Sequence, residues 1–323
     1  MSRRKLLVSF PPLTGGQRDR IQKLALAHDF DTVFCDDPGL AEAEVADAEV
    51  LFSFNSSLVK NAKNLKWVCT PSAGVDHFLD KVRDTGITLT CSSGAYGVTI
   101  AEHIVMMTLE IMRRRPDYIR LKEERQWEQH LPVRSLFGSR VTFAGTGDIG
   151  NETAVRIRGF MPSCMTGVNR RGHNPDNIYD RIVTLDRIDE VLPETDVLIL
   201  SLPATAETIG LLNRDRLQKL PKDSYIINVG RGNVLDEKAL EQMLRAGQIG
   251  GAALDVFEKE PLDKDSTLWD CPRLILTTHA AGNWTLPHTV EKIVNLFADD
   301  FENYCSGKKM RQIVDIDAGY NVR

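Results

Sequence analysis

Arg140-Val-Thr-Phe-Ala-Gly-Thr-Gly-Asp-Ile-Gly150 runs directly into Asn151-Glu-Thr-Ala-Val-Arg-Ile-Arg-Gly-Phe160. Val141 to Ala144 is a short apolar run with β-branched side chains, and the residues after Gly150 have the apolar spacing of a helix. Glycines separate the two segments. The pattern therefore predicts a β-strand, a tight turn and a helix.

Gly145, Gly147 and Gly150 form a Gly-x-Gly-x-x-Gly pattern in that turn. A pyrophosphate binds well at a helix N-terminus, where unpaired backbone N–H groups and the helix dipole favour negative charge. Gly145 permits the turn, Gly147 lets phosphates approach the backbone, and Gly150 lets the helix close on its strand. The turn is a predicted dinucleotide site, although ordinary turns after strands also carry glycines.

Cys164-Met-Thr-Gly-Val168 lies where a Rossmann unit has its second strand, which normally ends in an Asp or Glu that binds the adenosine ribose of NAD. Here the next residues are Asn169, Arg170 and Arg171, and none of them is acidic. Guanidinium groups bind phosphate oxygens in a planar, bidentate geometry that suits the 2′-phosphate of NADP. The sequence predicts NADP as the preferred cofactor and NAD as the second candidate; a solvated basic turn is the alternative interpretation.

The composition is that of a globular protein with two domains. A chain of 323 residues is long for one hydrophobic core, and its 42% hydrophobic and 26% charged residues are ordinary values. The net charge of -5 gives no electrostatic reason to expect nucleic acid or an anionic membrane as a partner. No stretch approaches the roughly 20 apolar residues that a membrane helix requires.

The cysteines bear on the compartment and on metal binding. They show no Cys-x-x-Cys pair and no adjacent His spacing; they are Cys35, Cys69, Cys91, Cys164, Cys271 and Cys305. This distribution predicts reduced, buried thiols in a cytoplasmic protein without a metal site. Ser2-Arg-Arg-Lys5 before an apolar run imitates a signal peptide only superficially, because the run is short and Pro11 and Pro12 end it.

Strands and helices alternate along the chain, which predicts parallel α/β sheets. The near-continuous apolar character of the later strands is typical of a sheet covered on both faces. Helices are predicted over residues 16–29, 99–114 and 290–304, and the second is apolar enough to lie buried between two layers. The predicted strands are 6–10, 32–35, 50–54, 65–69, 87–90, 141–144, 164–168, 197–200, 225–229, 251–254 and 274–276.

The chain is expected to cross between two domains twice. The first crossing is placed near Val98, and the last helix is expected to pack back on the first domain. Residues 1–98 and 285–323 then form one domain, residues 99–284 form the dinucleotide-binding domain, and the ligand cleft lies between them. Residues 115–137, which mix charge with Trp127, are either a partner-binding arm or a solvated helix and loop.

Three polar residues, Arg231, Glu260 and His279, follow predicted strands in the second half of the chain. Ligands of doubly wound sheets bind beyond the carboxyl ends of the strands, so these positions face the cofactor crevice. Reduction of a keto group leaves negative charge on oxygen, which requires a proton donor and an electrostatic clamp. Histidine, with a reference pKa of about 6.5, suits the role of donor.

The partners of that donor follow from the same chemistry. Glu260, if hydrogen-bonded to the other ring nitrogen, favours the imidazolium and fixes its orientation, although spacing alone does not choose between Glu258 and Glu260. Arg231 can hold a carboxylate and polarise the carbonyl group. Earlier in the chain, Thr70-Pro-Ser-Ala-Gly-Val-Asp-His77 predicts a turn of small residues whose backbone N–H groups grip a carboxylate.

Together these motifs resemble the D-isomer-specific 2-hydroxyacid dehydrogenase family over essentially the whole chain. The resemblance implies two doubly wound parallel-sheet domains of the α/β class, with a Rossmann cofactor domain inserted into a flavodoxin-like substrate domain. It also implies a homodimer formed through the cofactor domain, with residues 115–137 as the dimer arm. The matching motifs are Ser72-Ala-Gly-Val-Asp-His77, Tyr96-Gly-Val-Thr-Ile-Ala-Glu-His103, Gly145-Thr-Gly-Asp-Ile-Gly150, Ser201-Leu-Pro203 with Thr208, Asn228-Val-Gly-Arg-Gly232, Ala253-Leu-Asp-Val-Phe257 with Glu260-Pro261, and His279-Ala-Ala-Gly282.

The resemblance also implies roles for single residues. The implied catalytic residues are Arg231, Glu260 and His279. The implied carboxylate-binding backbone is that of Ala73, Gly74 and Val75. Pyrophosphate contacts are implied at Asp148 and Ile149, and nicotinamide carboxamide contacts at Val229 and Asp255. The complete implied cofactor set is Gly145, Gly147, Asp148, Ile149, Gly150, Asn169, Arg170, Arg171, Ser201, Leu202, Pro203, Thr208, Val229, Gly230, Arg231, Asp255, His279 and Ala281.

Differences from other branches of the family narrow the choice. Formate dehydrogenases of this fold pair their His with Gln where this chain has Glu260, and phosphite dehydrogenases have a Lys in the carboxylate loop, which residues 72–77 lack. Phosphoglycerate dehydrogenases often carry a regulatory C-terminal domain, and little follows the last helix here. Asn169-Arg-Arg171 and the tail over residues 314–320 resemble the NADP-using glyoxylate and hydroxypyruvate reductases.

The sequence thus predicts an NADPH-preferring reductase that converts small 2-keto acids, such as glyoxylate or hydroxypyruvate, into D-2-hydroxy acids. The alternative is a cofactor-sensing binding protein on the same scaffold, similar to the C-terminal-binding corepressors, because an intact triad does not exclude that role. Candidate lining residues of the substrate pocket are Phe54, Asn55, Tyr96 and Trp284, although aromatic residues beside a cleft also serve in packing.

Overall fold

The computed structural model describes residues 3–174 and 177–321 of the chain. The chain forms two compact units, one made of Met1–Tyr96 and Trp284–Arg323 and the other of Gly97–Asn283. Each unit contains one parallel sheet with its own hydrophobic core, so the predicted doubly wound α/β class is confirmed. Within the described ranges, no helix combines the length and apolar character needed to cross a membrane.

The sheet of the first unit consists of β1 (Arg4–Ser9), β2 (Phe30–Phe34), β3 (Val50–Ser53), β4 (Trp67–Thr70) and β5 (Thr88–Cys91). All paired strands are parallel, and their order is β2-β1-β3-β4-β5. Every residue of β3 and β4 is buried, as expected of central strands with both faces covered. The order is that of flavodoxin-like sheets.

The sheet of the second unit consists of β6 (Arg140–Ala144), β7 (Cys164–Asn169), β8 (Arg181–Thr184), β9 (Val197–Leu200), β10 (Tyr225–Asn228), β11 (Gly251–Leu254) and β12 (Leu274–Leu276). Its order is β12-β11-β10-β9-β6-β7-β8. Counted from β6, this is the Rossmann order with one additional strand, and the order reverses between β6 and β9. The strand β8 was not predicted, because its exposed Arg181 interrupts the apolar pattern of a short edge strand.

The α-helices are α1 (Gly15–Ala27), α2 (Pro38–Glu44), α3 (Asp76–Val82), α4 (Gly97–Met112), α5 (Arg115–Glu123), α6 (Asp148–Arg158), α7 (Arg214–Leu217), α8 (Glu237–Arg245) and α9 (Pro287–Cys305). In the first unit, α9 packs on the sheet through aromatic side chains. The ring of Phe297 stacks on Phe52 with centroids 4.4 Å apart and lies 5.6 Å from that of Trp67. This contact joins the last helix to the N-terminal strands.

The apolar helix α4 packs against α6 and against β10 and β11 in the second unit. The prediction that it is buried between two layers is only partly right. Ile104 and Met107 are fully buried, but Met106 is 42% exposed, so the helix has a solvent-facing side within its unit.

Residues 115–137 form a helix followed by a loop. Arg114 takes a left-handed conformation, which separates α4 from α5. After α5, residues 126–135 have no regular secondary structure. Trp127 is 88% exposed and Phe137 is 68% exposed. The segment is thus a helix and a loop with two exposed aromatic side chains, and both its interpretation as a partner-binding arm and that as a solvated segment stay predictions.

Candidate active site

His279 and Glu260 meet directly in the second unit. His279 Nδ1 lies 2.7 Å from Glu260 Oε2. A carboxylate can only accept a hydrogen bond, so the proton of this contact belongs to Nδ1 and Nε2 is left to act on a ligand. Both side chains remain accessible, at 50% and 35% exposure. Sequence spacing did not choose between Glu258 and Glu260 as the partner of this histidine, and Glu260 is the one that contacts the imidazole.

The carboxylate of Glu260 is itself held in place. Its Oε1 accepts a hydrogen bond of 3.0 Å from the backbone N–H of Phe257. The neighbouring glutamate, Glu258, is turned elsewhere, with Oε1 3.4 Å from the backbone nitrogen of Glu237. With one oxygen bound by the backbone and the other by the imidazole, the glutamate fixes the orientation of the His279 ring.

The backbone of His279 is fixed by the buried Asp255. His279 has φ of 53°, a left-handed conformation that is costly for a residue with a side chain. Its N–H donates to the Asp255 carbonyl oxygen at 2.8 Å. The Asp255 carboxylate accepts hydrogen bonds from the N–H groups of Ala280 and Ala281, at 2.9 and 3.0 Å. These bonds stabilise the turn that presents the imidazole.

Two further side chains extend this network. The hydroxyl of Thr277 donates to Asp255 Oδ1 at 2.6 Å, and His103 Nε2 lies 3.1 Å from the same hydroxyl. Sequence reasoning gave Thr277 and His103 no role, because 174 positions separate them. The one available signal was an acidic residue, Asp255, directly after an apolar strand, since a buried carboxylate needs such partners.

Arg231 lies in the loop after β10. The side chain of Asn228 spans this loop: its Nδ2 donates to the Arg231 carbonyl oxygen at 3.0 Å, and its Oδ1 accepts from the N–H of Gly230 at 3.1 Å. Arg231 Nη1 donates to the carbonyl oxygen of Gly230 at 2.7 Å. Asn228 is buried, and its role in shaping this loop was not predicted.

Gly232 brings the Arg231 loop against the loop that carries Glu260. A Cβ at Gly232 would lie 1.8 Å from the carbonyl carbon of Phe257, so only glycine fits. Glu260 and His279 are in direct contact. Gly232 packs the backbone next to Arg231 against Phe257, in the turn that carries Glu260. The arrangement thus places an imidazole–carboxylate pair beside the backbone of the Arg231 loop in the second unit.

The glycine turn between β6 and α6 has the shape that phosphate binding requires. Gly145 has φ of 106°, and a Cβ at Gly150 would lie 2.0 Å from the Gly145 carbonyl oxygen. A Cβ at Gly147 would meet nothing within 4 Å, so there is open space beside the start of α6. The Asp148 carboxylate accepts from the N–H of Gly97 at 2.7 Å, so a phosphate at this turn would meet the backbone of Asp148 and Ile149 rather than that side chain. This cradle fits a pyrophosphate.

Asn169 organises the loop after β7. Its Nδ2 donates to the hydroxyl of Thr146 in the glycine turn and to the carbonyl oxygen of His173, both at 2.8 Å. Its Oδ1 accepts from the N–H of Arg171 at 3.0 Å. Arg170 and Arg171 are exposed beside the turn. An amide is better suited than a carboxylate to this position, because it both donates and accepts.

The loop after β9 completes the surroundings of the glycine turn. Ser201 Oγ donates to the Gly145 carbonyl oxygen at 3.2 Å. The Thr208 hydroxyl donates to the carbonyl oxygen of Pro203 at 2.6 Å, so it shapes this loop. Leu202 is buried, and a Cβ at Gly230 would lie 2.5 Å from its carbonyl oxygen. Val229 and Ala281, two further residues of the implied cofactor set, are buried.

The predicted carboxylate loop lies in the first unit. Ser72 accepts a hydrogen bond of 2.9 Å from the N–H of Ser92 through its carbonyl oxygen, which fixes the start of the Ala73–Val75 backbone. Phe54 and Trp284, two of the candidate lining residues, pack together with ring centroids 4.2 Å apart. Asn55 Oδ1 accepts from the N–H of Ser57 at 3.0 Å and so caps the next turn.

A family model described as "D-isomer specific 2-hydroxyacid dehydrogenase, NAD binding domain" matches residues 105–281. The chain belongs to this family. A glyoxylate reductase of Thermofilum pendens is 31% identical over 269 residues, which cover 81% of this chain and 75% of the relative. The dehydrogenase also matches D-3-phosphoglycerate dehydrogenases of Archaeoglobus fulgidus and Bacillus subtilis, and it spans 49% of their length.

Solved structures agree with this assignment. A D-isomer specific 2-hydroxyacid dehydrogenase family protein from Aeromonas salmonicida has a TM-score of 0.86 and 30% identity, with coverage of 98% of this chain and 100% of that one. A probable 2-hydroxyacid dehydrogenase from Rhizobium etli, solved in complex with NADP, HEPES and L(+)-tartaric acid, has a TM-score of 0.79 and 25% identity, with coverage of 98% and 100%. The predicted family and its glyoxylate/hydroxypyruvate reductase-like branch are confirmed.

Membership in this family fixes the general activity. The protein is a dehydrogenase that uses an NAD(P) cofactor, and its substrate is a small 2-hydroxy or 2-keto acid. In the part of the chain that the structure describes, no group of three or more His, Cys, Asp or Glu side chains is arranged to hold a metal ion.

Proposed function

We propose that the dehydrogenase is an NADPH-preferring reductase of small 2-keto acids, of the glyoxylate and hydroxypyruvate type, and that it forms D-2-hydroxy acids. The observation that carries this proposal is the 2.7 Å contact between His279 and Glu260, which leaves Nε2 of the ring as a proton donor. The name of the Thermofilum pendens relative, glyoxylate reductase, supports the substrate class.

The reaction joins hydride transfer to proton transfer. Bound NADPH would supply a hydride to the carbonyl carbon of the keto acid. As the C–H bond forms, the carbonyl π electrons move to oxygen, and His279 donates its Nε2 proton to that oxygen. The neutral ring then regains a proton from water. Glu260 stabilises the protonated ring before transfer and keeps its orientation afterwards.

Arg231 supplies the electrostatic part of the mechanism. Its guanidinium carries a permanent positive charge and offers several N–H donors, which suits both the carboxylate of a keto acid and the oxygen that becomes negative during reduction. Asn228 and Gly232 fix the backbone from which Arg231 projects. A rigid loop is required here, because a clamp that reorganises during the reaction stabilises the transition state less.

The NADPH preference rests on the loop after β7. Asn169 takes the place of the acidic residue that would bind an unphosphorylated ribose and repel a phosphate. Arg170 and Arg171 follow it, and both are exposed next to the glycine turn that Asn169 contacts. The Rhizobium etli structure contains NADP, which supports the binding of this phosphorylated cofactor here.

The proposal assigns a task to each domain. The second unit, Gly97–Asn283, serves as the cofactor domain predicted over residues 99–284, and the first unit, Met1–Tyr96 with Trp284–Arg323, serves as the substrate domain predicted over residues 1–98 and 285–323. The backbone of Ala73, Gly74 and Val75 binds the carboxylate of the keto acid. We also propose a homodimer through the cofactor domain, in which residues 115–137 cover apolar surface of a second copy. The exposure of Trp127 and Phe137 supports this arm.

The test is the oxidation of NADPH by the purified protein with a panel of 2-keto acids that includes glyoxylate, hydroxypyruvate, pyruvate and larger acids. We expect turnover with the small acids, D configuration in the product where it is chiral, and a lower kcat/KM with NADH. A flat response to every acid, together with tight NADPH binding, would overturn the proposal and favour a cofactor-sensing protein.

A further inference from the structure

Glu237, the first residue of α8, lies against the turn that carries Glu260. Its Oε1 accepts a hydrogen bond from the backbone N–H of Glu258, and Glu258 Oε1 lies 3.4 Å from the Glu237 nitrogen in return. Glu237 is half-buried, whereas Glu258 is exposed. The helix start and the turn are therefore joined by reciprocal contacts.

These contacts continue to the imidazole through neighbouring groups. The N–H of Glu258 is held by Glu237, and the preceding N–H, that of Phe257, is held by Glu260 at 3.0 Å. The other oxygen of Glu260 lies 2.7 Å from His279 Nδ1. A displacement of the Phe257–Glu258 peptide would thus move the carboxylate that orients the ring.

Glu237 also has an unusual titration. Burial raises its pKa to about 7, the negative charges of Glu258 and Glu260 raise it as well, and the hydrogen bond from the Glu258 N–H opposes them. Its charge therefore changes over the neutral pH range, in which most carboxylates stay ionised. The acidic groups that act on it, Glu258 and Glu260, both belong to the turn that it contacts.

We infer that Glu237 is a positioning residue for the Glu260–His279 pair. Its carboxyl group holds the Phe257–Glu258 peptide through the Glu258 N–H, and once ionised it accepts that bond as a charged group, which makes the bond stronger. The turn that carries Glu260 is therefore held more firmly above neutral pH, and the imidazole of His279 is oriented more firmly with it. The inference rests on the proposed function only where it concerns the rate of reduction.

The electrostatic part can be tested without turnover. In ¹³C-glutamate NMR of the full chain, we expect one carboxyl resonance to titrate near neutral pH and to be missing in Glu237→Gln. Coupling is reciprocal, so Glu260→Gln should lower the titration midpoint of that resonance by roughly half a pH unit or more. A midpoint that is unchanged in Glu260→Gln would overturn the inference whatever the enzyme does.

The kinetic test compares the rate of keto-acid reduction at two pH values. Gln keeps the hydrogen-bond acceptor but stays neutral, so Glu237→Gln should match the wild type near pH 6 and reduce its best keto acid roughly threefold to tenfold more slowly near pH 8. Glu241→Gln is the matched control, because Glu241 lies one turn further along α8 and pairs with Arg245. It should follow the wild type at both pH values.

A purely structural role predicts a different result. In that case Glu237→Gln would change the rate by the same factor at both pH values, or not at all, and the inference would be wrong. Glu237→Ala removes the acceptor as well as the charge, so we expect it to lower kcat at both pH values. If no keto acid is reduced, the proposed function fails, and the NMR titration alone decides the role of Glu237.

Discussion

The indole Nε1 of Trp284 donates a hydrogen bond of 2.9 Å to the hydroxyl of Tyr96, although 188 positions separate the two residues. The hydroxyl in turn donates to the carbonyl oxygen of Pro71 at 2.6 Å. Tyr96 is buried, and Trp284 is 39% exposed. The pair joins both chain segments of the first unit and holds the loop that leads into the proposed carboxylate-binding backbone.

Tyr96→Phe removes this hydroxyl and keeps the ring. We expect the KM for the keto acid to rise about threefold to tenfold, since a hydrogen bond is worth roughly 1 kcal/mol, with little change in kcat or in the Kd for NADPH. Steady-state kinetics and cofactor titration measure these quantities. Tyr118→Phe, in the partly exposed α5, is the control. A fall in kcat at constant KM would show that Tyr96 does not act through substrate binding.

His279→Asn keeps a polar side chain but removes the acid. Because proton donation by a positioned side chain accelerates such reactions by about a hundredfold to ten-thousandfold, kcat should fall within that range. NADPH should still bind, which cofactor fluorescence can verify. His288→Ala, at an exposed position of α9, should keep the wild-type rate. Wild-type turnover in His279→Asn would exclude His279 as the donor.

The fold could be predicted from the sequence because its strongest signals are local. Gly145 has a positive φ, and Gly150 lies against the Gly145 carbonyl oxygen. Because only glycine fits these two positions, the glycine pattern predicts the turn. Buried strands such as β9 and β10 are apolar throughout. The edge strand β8 received no prediction because its mixed polar and apolar residues hide a short element. The helix α8 received none either, although Ala239, Leu240, Met243 and Leu244 recur at helical spacing.

The residues of the functional site were harder to predict from the sequence than the fold. The choice of Glu260 over Glu258 depends on how one turn folds, and spacing contains no such information. The contact of Thr277 with His103 depends on the packing of distant segments. Glu237 gave no signal either, since an acidic residue in the first turn of a helix has an ordinary explanation in the helix dipole. The contacts of these residues arise only when distant segments pack together, so local sequence patterns do not predict them.

Glu49 should make the first unit sensitive to acid. Its hydrogen bonds with Arg4 and with the Tyr304 hydroxyl, both 2.6 Å, lower its pKa to about 2 against the opposing effect of burial. A lowered folded-state pKa contributes stability above the unfolded value of about 4.5, and that stability is lost as the pH falls toward about 2.

Glu49→Gln should therefore destabilise the protein at neutral pH, by an amount on the order of 2 kcal/mol. The difference from the wild type should shrink steadily below about pH 4.5, which urea unfolding at a series of pH values can measure. Asp31→Asn is the control, because the Arg3–Asp31 pair is more than half exposed and should contribute little. A difference that persists in acid would assign the loss to packing rather than to charge.

Arg170 tests the cofactor preference. If its guanidinium binds the 2′-phosphate, Arg170→Ala should raise the Kd for NADPH roughly tenfold to a hundredfold, as expected for a charge-assisted hydrogen bond, and change the Kd for NADH less than about threefold. Arg187→Ala is the matched control, because Arg187 is an exposed arginine of the same unit that pairs with Glu190. It should leave both affinities unchanged.

The comparison of the two cofactors separates this role from general electrostatics. A guanidinium that only adds positive charge near the site would strengthen both dinucleotides, since both carry a pyrophosphate. Equal losses for NADPH and NADH in Arg170→Ala would therefore remove Arg170 from the 2′-phosphate. Raising the ionic strength gives an independent check, because a diffuse attraction weakens with salt more than a direct bidentate contact does. The NADPH-specific loss should survive at high salt.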